Sequence, residues 1–286
     1  MSELKTVGIV GFGRLGQYLV NELLTNGAKW GLKLGFVWNR TASQQLYDSC
    51  GDSNLVLEEL SQFDRYAVDL IVEVSHPVVI QEFGTKFVNH CDLMIGSPSC
   101  LADKHLEESL LLASNKSNRT VFIPSGALWG GNDIRKMSTR NTLKGLSITM
   151  HFHPDSLKLD GELKSLNDSI LDKPITLYKG PVRQVCSLAP NNVNTMAAAA
   201  IAGYTLGFDG TVGCLIADPN LKDYHKIEIE VTGPSNVANN CRFSVSTTRL
   251  SPSMGNSAVT SMATFASFLS SLLNANKHMG KGFQLC

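Results

Sequence analysis

KTVGIVGFGRLGQYLVNELLTNG, residues 5–27, is the stretch on which the fold turns. Its first six residues are a short apolar run that reads as a strand. GFGRLG follows at once. QYLVNELLTNG then places Leu15, Leu19, Val20, Leu23 and Leu24 on one face of a helix that ends at Asn26-Gly27. A G-x-G-x-x-G signal is weak alone, and the strand before it and the amphipathic helix after it are the context it needs. Gly11 permits the tight turn, Gly13 lets a pyrophosphate approach the backbone, and Gly16 lets helix and strand pack closely. Arg14 and Leu15 open the helix whose N–H groups meet the phosphates. The competing reading is a glycine-rich turn with no ligand.

Outward from this stretch the pattern repeats. LKLGFVW (32–38), DLIVEVS (69–75), DLMIGS (92–97) and TVFIPS (120–125) read as strands. VVIQEFGTKFVNH and LADKHLEESLLLASN read as helices between them, and TASQQLYDS as a short helix or loop. Strands alternating with helices of this length imply an α/β, doubly wound parallel sheet of the Rossmann kind over residues 1–125. The character changes near Gly126. LKGLSITMHFH (143–153), ITLYKGPV, TVGCLIAD, HKIEIEVTG and CRFSVSTTR are strand candidates, and the last two alternate as half-exposed antiparallel strands do. Residues 154–174 look loop-like, and NTMAAAAIAGYTLG reads as a small-residue helix that packs tightly. Residues 126–255 are therefore expected to form a second, α+β domain with a mixed, largely antiparallel sheet. SAVTSMATFASFLSSLLNANK, within 256–286, reads as a helix that packs back on the first domain.

Composition narrows the function classes. The chain has 286 residues, with 25 Lys+Arg against 25 Asp+Glu and so a formal net charge of zero, which argues against a general nucleic-acid binder. No run reaches membrane-spanning length. The N-terminus lacks a basic region and a small-residue cleavage site, so it reads as a first strand rather than a signal peptide. The seven cysteines are scattered with no C-x-x-C pair, as free thiols of a reducing cytoplasm would be. The His, Cys and Asp spacings offer no metal site.

FVWNR, residues 36–40, ends the second strand, where an NAD site has a carboxylate that holds the ribose hydroxyls and repels a 2′-phosphate. Asn39 and Arg40 stand there instead. A neutral Asn39 removes the repulsion, and Arg40 can pair with the phosphate. The site is thus expected to take NADP or NAD, with NADP(H) favoured. The alternative is an Arg40 that stacks on adenine or points to solvent.

Taken together, GFGRLGQ, FVWNR, VEVSHP, IGSPS, SGALWG, NTMAAAA, GFDG and the closing QLC resemble the L-aspartate dehydrogenase family, specifically its animal aspartate dehydrogenase domain-containing members. The resemblance spans essentially the whole chain. It implies hydride transfer between a nicotinamide cofactor and aspartate or iminoaspartate, the latter formed from oxaloacetate and ammonia. The partners it implies are thus a small dicarboxylic amino or keto acid and ammonia, and it also implies a homodimer. Carried over by motif, the active-site histidine falls on His225, the cofactor-contacting alanine on Ala127, and the asparagine before the Ala-rich helix on Asn194. Two departures stand out. Trp129 enters the SGA turn and is expected to intrude on the nicotinamide end of the pocket, and Asn39 replaces the Asp common in bacterial members.

The residues support part of this independently. An imidazole titrates near neutral pH and can donate and accept a proton, which makes His225, after a polar loop and at a strand start, the best acid/base candidate. Asp218 either orients it or simply turns the chain before Pro219. His151, His153 and Lys158 are candidates for a substrate carboxylate, against ordinary strand-end polarity; the stronger two are His153 and Lys158. Glu73 and His76 end a strand beside the presumed cleft. Two rival readings stay open: an oxidoreductase of the same fold with another small substrate, and a non-catalytic NADPH-binding sensor.

Overall fold

A computed structural model describes residues 4–236, 238, 241–253, 262–275 and 282–286. The first half runs β1 (Lys5–Val10), α1 (Arg14–Asn26), β2 (Leu32–Trp38), α2 (Gln44–Cys50), β3 (Val56–Leu57), β4 (Leu70–Glu73), α3 (Pro77–His90), β5 (Asp92–Ile95), α4 (Lys104–Ser117) and β6 (Thr120–Ile123). The second half runs α5 (Gly131–Thr139), β7 (Gly145–Phe152), α6 (Gly161–Asp168), β8 (Ile175–Pro181), α7 (Val182–Leu188), α8 (Asn194–Ala202), α9 (Gly207–Gly210), β9 (Val212–Ala217), β10 (Tyr224–Asn236), β11 (Cys241–Pro252), α10 (Met262–Ala275) and β12 (Gly282–Leu285).

β1, β4, β5 and β6 are almost continuous apolar runs because both faces of a parallel sheet are covered by helices. They form a seven-stranded parallel sheet in the order β12-β6-β5-β4-β1-β2-β3. Order reverses beside β1, and that is where a doubly wound sheet opens its ligand crevice. Helix starts are well specified. Asp103 Oδ1 accepts from the N–H groups of His105 (2.9 Å) and Leu106 (3.3 Å), and His76 caps α3 with Pro77 in its first turn.

The second sheet has the order β11-β10-β7-β9-β8, with β7 and β9 parallel and the other pairs antiparallel. Leu146, Ile148, Met150 and Phe152 of β7 and His225, Ile227, Ile229 and Val231 of β10 face inward. Against that face lies α8, NTMAAAAIA, whose residues from Thr195 onward are all buried. A helix that is apolar all round must be enclosed, and small side chains let neighbouring backbones come close.

Several elements differ from the sequence expectation. Residues 154–174 are not all loop, since α6 occupies eight of them. α7 continues directly from β8, and α5 follows the SGALWGG turn. The expected C-terminal helix is described only over 262–275; its remaining residues lie outside the described ones. Phe268, Leu272 and Ala275 join the core of the parallel sheet, and Phe265 stacks on Tyr18 with ring centroids 5.4 Å apart. The chain then adds β12 to the edge of that sheet beside β6, a strand absent from the sequence reading.

Candidate active site

The loop after β1 is built as its glycines demand. Gly11 has φ +117°, and a Cβ there would lie 2.8 Å from the Val74 carbonyl. A Cβ on Gly16 would lie 2.1 Å from the Gly11 oxygen, so α1 can approach the loop only without one. Gly13 differs: a Cβ there would meet nothing within 4 Å, because it faces the open groove. α1 starts at Gly13 with no side-chain cap, which leaves its first turn available to an anion. These features fit the pyrophosphate of a nicotinamide dinucleotide.

The groove beyond the loop is lined by Gly13–Leu15, Val74–Pro77, Gly96, Ser97, Lys158, Pro190, Asn191 and Asn194. Arg14, His76 and Lys158 are its charged or titratable side chains, and no carboxylate lines it. Such a surface attracts an anionic ligand. Beneath it Glu73 is fully buried. One of its oxygens accepts from Ser75 N (2.7 Å) and Oγ (3.0 Å), the other from Ser97 N (3.1 Å) and Oγ (2.7 Å). Burial pushes the Glu73 pKa up, and the four hydrogen bonds pull against that. Glu73 therefore ties two groove loops together from below and does not line the groove itself.

At the end of β2, Asn39 Oδ1 accepts from Phe12 N at 3.2 Å, and Asn39 Nδ2 donates to the Thr41 carbonyl at 2.9 Å. Asn39 thus pins the glycine loop, a role its sequence position did not reveal. Arg40 beside it is exposed.

The groove continues inward through Leu15, Gly96, Asn191 and Asn194 into a cleft of about 170 Å³. Ser125, Gly126 and Ala127 form one wall. Met150, Phe152, Ile227, His225 and Ser251 come from the second sheet, Asn192, Asn194 and Thr195 from the start of α8, and Thr264 and Phe268 from α10. His225 is 5% exposed, its ring edge-on to Phe152 at 4.8 Å. β7 and β11 flank its strand, so the imidazole is carried on a rigid element.

The asparagines around α8 divide their work. Asn192 Nδ2 donates to the Ser156 carbonyl (3.1 Å), and its Oδ1 accepts from Lys158 N (3.0 Å), which fixes the loop that carries Lys158. Asn194 Oδ1 accepts from Ser99 N at 3.4 Å and faces both groove and cleft. Asn191 and Ser251, which the sequence reading did not single out, also line the cleft. Only their neighbours Asn194 and His225 hinted at them.

Other candidates are placed elsewhere. His151 projects from the opposite face of β7, where its Nε2 meets Glu228 Oε2 at 2.7 Å. His153 does not line the cleft, because its Nδ1 accepts from Asp155 N at 3.3 Å and caps the 154–156 turn. Lys158 lines the groove rather than the inner cleft. Asp218 Oδ1 accepts from Asn220 N at 2.9 Å, which makes it a turn residue. Trp129 does not enter the cleft. It is 68% exposed and borders separate surface hollows, turned away between Gly126 and Gly130, both at positive φ. Among the described residues no three His, Cys, Asp or Glu side chains converge on a metal-sized site, and no helix is long and apolar enough to cross a membrane.

Comparison with known proteins agrees with this geometry. Residues 11–124 match the NAD-binding domain of the homoserine dehydrogenase family, and residues 133–271 match the C-terminal aspartate dehydrogenase family. An aspartate dehydrogenase domain-containing protein of Danio rerio is 48% identical over 281 residues, covering 98% of each chain. An L-aspartate dehydrogenase of Nitrosopumilus maritimus is 26% identical over 229 residues, covering 79% of this chain and 83% of its own. The crystal structure of aspartate dehydrogenase from Thermotoga maritima superposes with a TM-score of 0.67 at 23% identity, covering 95% and 96% of the two chains, which shows a shared fold. With nearly half its residues shared over almost its full length with a vertebrate relative, and with a nucleotide groove leading to a histidine-bearing cleft, the chain belongs to the aspartate dehydrogenase family of NAD-binding oxidoreductases.

Proposed function

We propose that the chain is an NAD(P)-dependent L-aspartate dehydrogenase. The observation that carries this reading is the continuity of the anion-accepting groove with the inner cleft, which His225 and the Ser125–Ala127 turn both line. The reaction converts oxaloacetate, ammonium, NAD(P)H and a proton into aspartate, NAD(P)+ and water, or runs in reverse. When bound, the nicotinamide supplies or accepts the hydride at Cα.

The remaining work falls to this chain. Gly11, Gly13, Arg14, Leu15 and Gly16 hold the pyrophosphate, and Gly126, Ala127 and Asn194 hold the nicotinamide end. Ammonia adds to the oxaloacetate carbonyl, and His225 donates a proton to the departing hydroxyl, so that water leaves and iminoaspartate remains. In reverse, His225 takes a proton from the attacking water. The apolar wall of Met150, Phe152 and Ile227 excludes bulk water, and much of the rate comes from holding the reactants in one orientation.

On the same reading Lys158 meets a cofactor or substrate anion from the groove side, and Arg40, with no carboxylate at position 39, favours NADP(H). His153 is not a direct ligand on this reading, because its Nδ1 is engaged by Asp155 N in the 154–156 turn. The units 1–125, 126–255 and 256–286, read from the change in sequence pattern, and a cytoplasmic site of action, read from the scattered cysteines, belong to this reading; the homodimer rests on family resemblance.

The test is loss of absorbance at 340 nm with oxaloacetate, ammonium and NADPH or NADH, beside His225→Asn. The expected result is turnover that needs ammonium and falls about 10²- to 10⁴-fold in His225→Asn, with cofactor binding kept. Turnover that ignores ammonium, or survives loss of His225, overturns the reading.

A further inference from the structure

The cleft raises a problem of charge. Its lining contains no Lys, Arg, Asp or Glu, yet the substrate of the proposed reaction carries two carboxylates. Arg14 and Lys158 lie in the outer groove.

β11 supplies a cation. Thr248 and Leu250 of this strand are exposed, while Thr247, Arg249 and Ser251 alternate with them on the inward side. In the β10–β11 ladder Ser251 stands opposite His225 and Arg249 opposite Ile227. Directly opposed residues share a face, so Arg249 lies on the His225 side of the sheet. Its Nε donates to Ser251 Oγ at 3.1 Å, and Nη1 donates to the Gly126 carbonyl at 3.2 Å. Ser251, Ile227 and Gly126 all line the cleft, which sets the guanidinium against its wall.

Two features set this arginine apart. It is half-buried, yet none of the carboxylates of the described residues reaches salt-bridge distance of it. Its pKa is lowered by burial alone, with no acidic neighbour to offset that. A cation taken partly out of water and given only neutral acceptors is costly to maintain. The two bonds use two of its five N–H donors, and the planar fork suits a carboxylate.

We propose that Arg249 binds the side-chain carboxylate of the substrate and sets the cleft's preference for dicarboxylates over monocarboxylates. This rests on the aspartate dehydrogenase reading for the identity of the substrate. Arg249 backs the cleft wall formed by Gly126, Ile227 and Ser251, and Lys158 lines the outer groove, an arrangement suited to a molecule charged at both ends. Ser251 orients the guanidinium, and Gly126 couples it to the turn that carries Ala127.

The experiment titrates the protein–NADPH complex calorimetrically with succinate and with butyrate, which has the same carbon count and one carboxylate. Wild type, Arg249→Met and Arg249→Lys are compared, and each is assayed with oxaloacetate and ammonium. Wild type is expected to prefer succinate. Arg249→Met should weaken succinate binding about 10- to 100-fold, leave butyrate unchanged and raise KM for oxaloacetate in step; Arg249→Lys should fall between. NADPH affinity should stay within about twofold, because Ser267 Oγ still donates to the Gly126 carbonyl (2.9 Å) and Ser125 N to the Cys286 carbonyl (2.8 Å). Unchanged succinate binding in Arg249→Met overturns the proposal. So does a loss of NADPH binding that accounts for the whole defect, since Arg249 would then only brace the turn. If wild type fails to aminate oxaloacetate but keeps Arg249-dependent selection of succinate, the dehydrogenase reading falls and the dicarboxylate site stands. If wild type binds no succinate, the site itself is refuted.

Discussion

Replacing Gly13 by Ala separates the stability of the fold from the binding of the cofactor. A Cβ at Gly13 would meet no atom within 4 Å, and its φ of −71° and ψ of −171° suit any L-residue. Ala is a poorer N-cap than Gly, and it also restricts the unfolded chain; each effect is about 0.5–1 kcal/mol and they oppose one another. The expected change in Tm is therefore within about 2 °C. The ligand side is different. The open space at Gly13 is the face of the loop toward the groove, so the methyl group pushes a bound pyrophosphate outward. Loss of one charge-assisted N–H bond is worth about 1.5–3 kcal/mol, or roughly 10- to 150-fold in affinity. Gly13→Ala should thus melt like wild type and bind NADPH at least about tenfold more weakly in a fluorescence titration. If NADPH binds Gly13→Ala within a factor of two of wild type, the dinucleotide does not cross this loop, and the reasoning from glycine spacing fails.

Gly16→Ala should behave oppositely. The clash with the Gly11 oxygen forces α1 off the loop at a cost of about 1–3 kcal/mol, seen as a fall of several degrees in Tm together with loss of cofactor binding. Glu73→Ala leaves the N–H groups of Ser75 and of the buried Ser97 without their acceptor, so the urea midpoint should fall by an amount worth about 2–5 kcal/mol; an unchanged midpoint would show that the loops hold without it. Arg40→Ala should weaken NADPH by about tenfold and leave NADH unchanged, and equal losses for both would remove the 2′-phosphate from its role. Asn39→Asp keeps an acceptor for Phe12 N but adds charge, so the ratio of NADPH to NADH affinity should drop.

Much of this architecture is legible in local sequence. The strand–loop–helix at residues 5–27 carries its periodicity and its glycines within one window, and the alternation of β10 put Ile227 and Ile229 on one face. That same period of two, applied to Met150 and Phe152, places His151 on the outer face of β7. The rest depends on distant pairing. β12 is four residues long and acquires meaning only beside β6, some 160 residues earlier in the chain. Trp129 is turned from the cleft by the positive φ of Gly126 and Gly130, a direction that composition does not encode. Asn39 stands where an NAD site has its ribose-holding carboxylate, and its carboxamide also spans Phe12 and Thr41 because β1 and β2 are adjacent strands, a contact that its position in the sequence does not show. Arg249 is not legible as a site residue in the sequence, because an arginine on an edge strand normally points to water. Only the β10–β11 register brings it to the His225 face.

Hydride transfer to the Cα of an imine formed from oxaloacetate and ammonium defines the proposed reaction. The most direct measurement incubates the protein with oxaloacetate, ammonium and nicotinamide cofactor deuterated on both C4 positions, and locates the label in the product by proton NMR and mass spectrometry. The expected product is aspartate with one deuterium at Cα. Deuterated malate, which would report reduction of the ketone without ammonia, or label that stays on the cofactor while it binds, would contradict it.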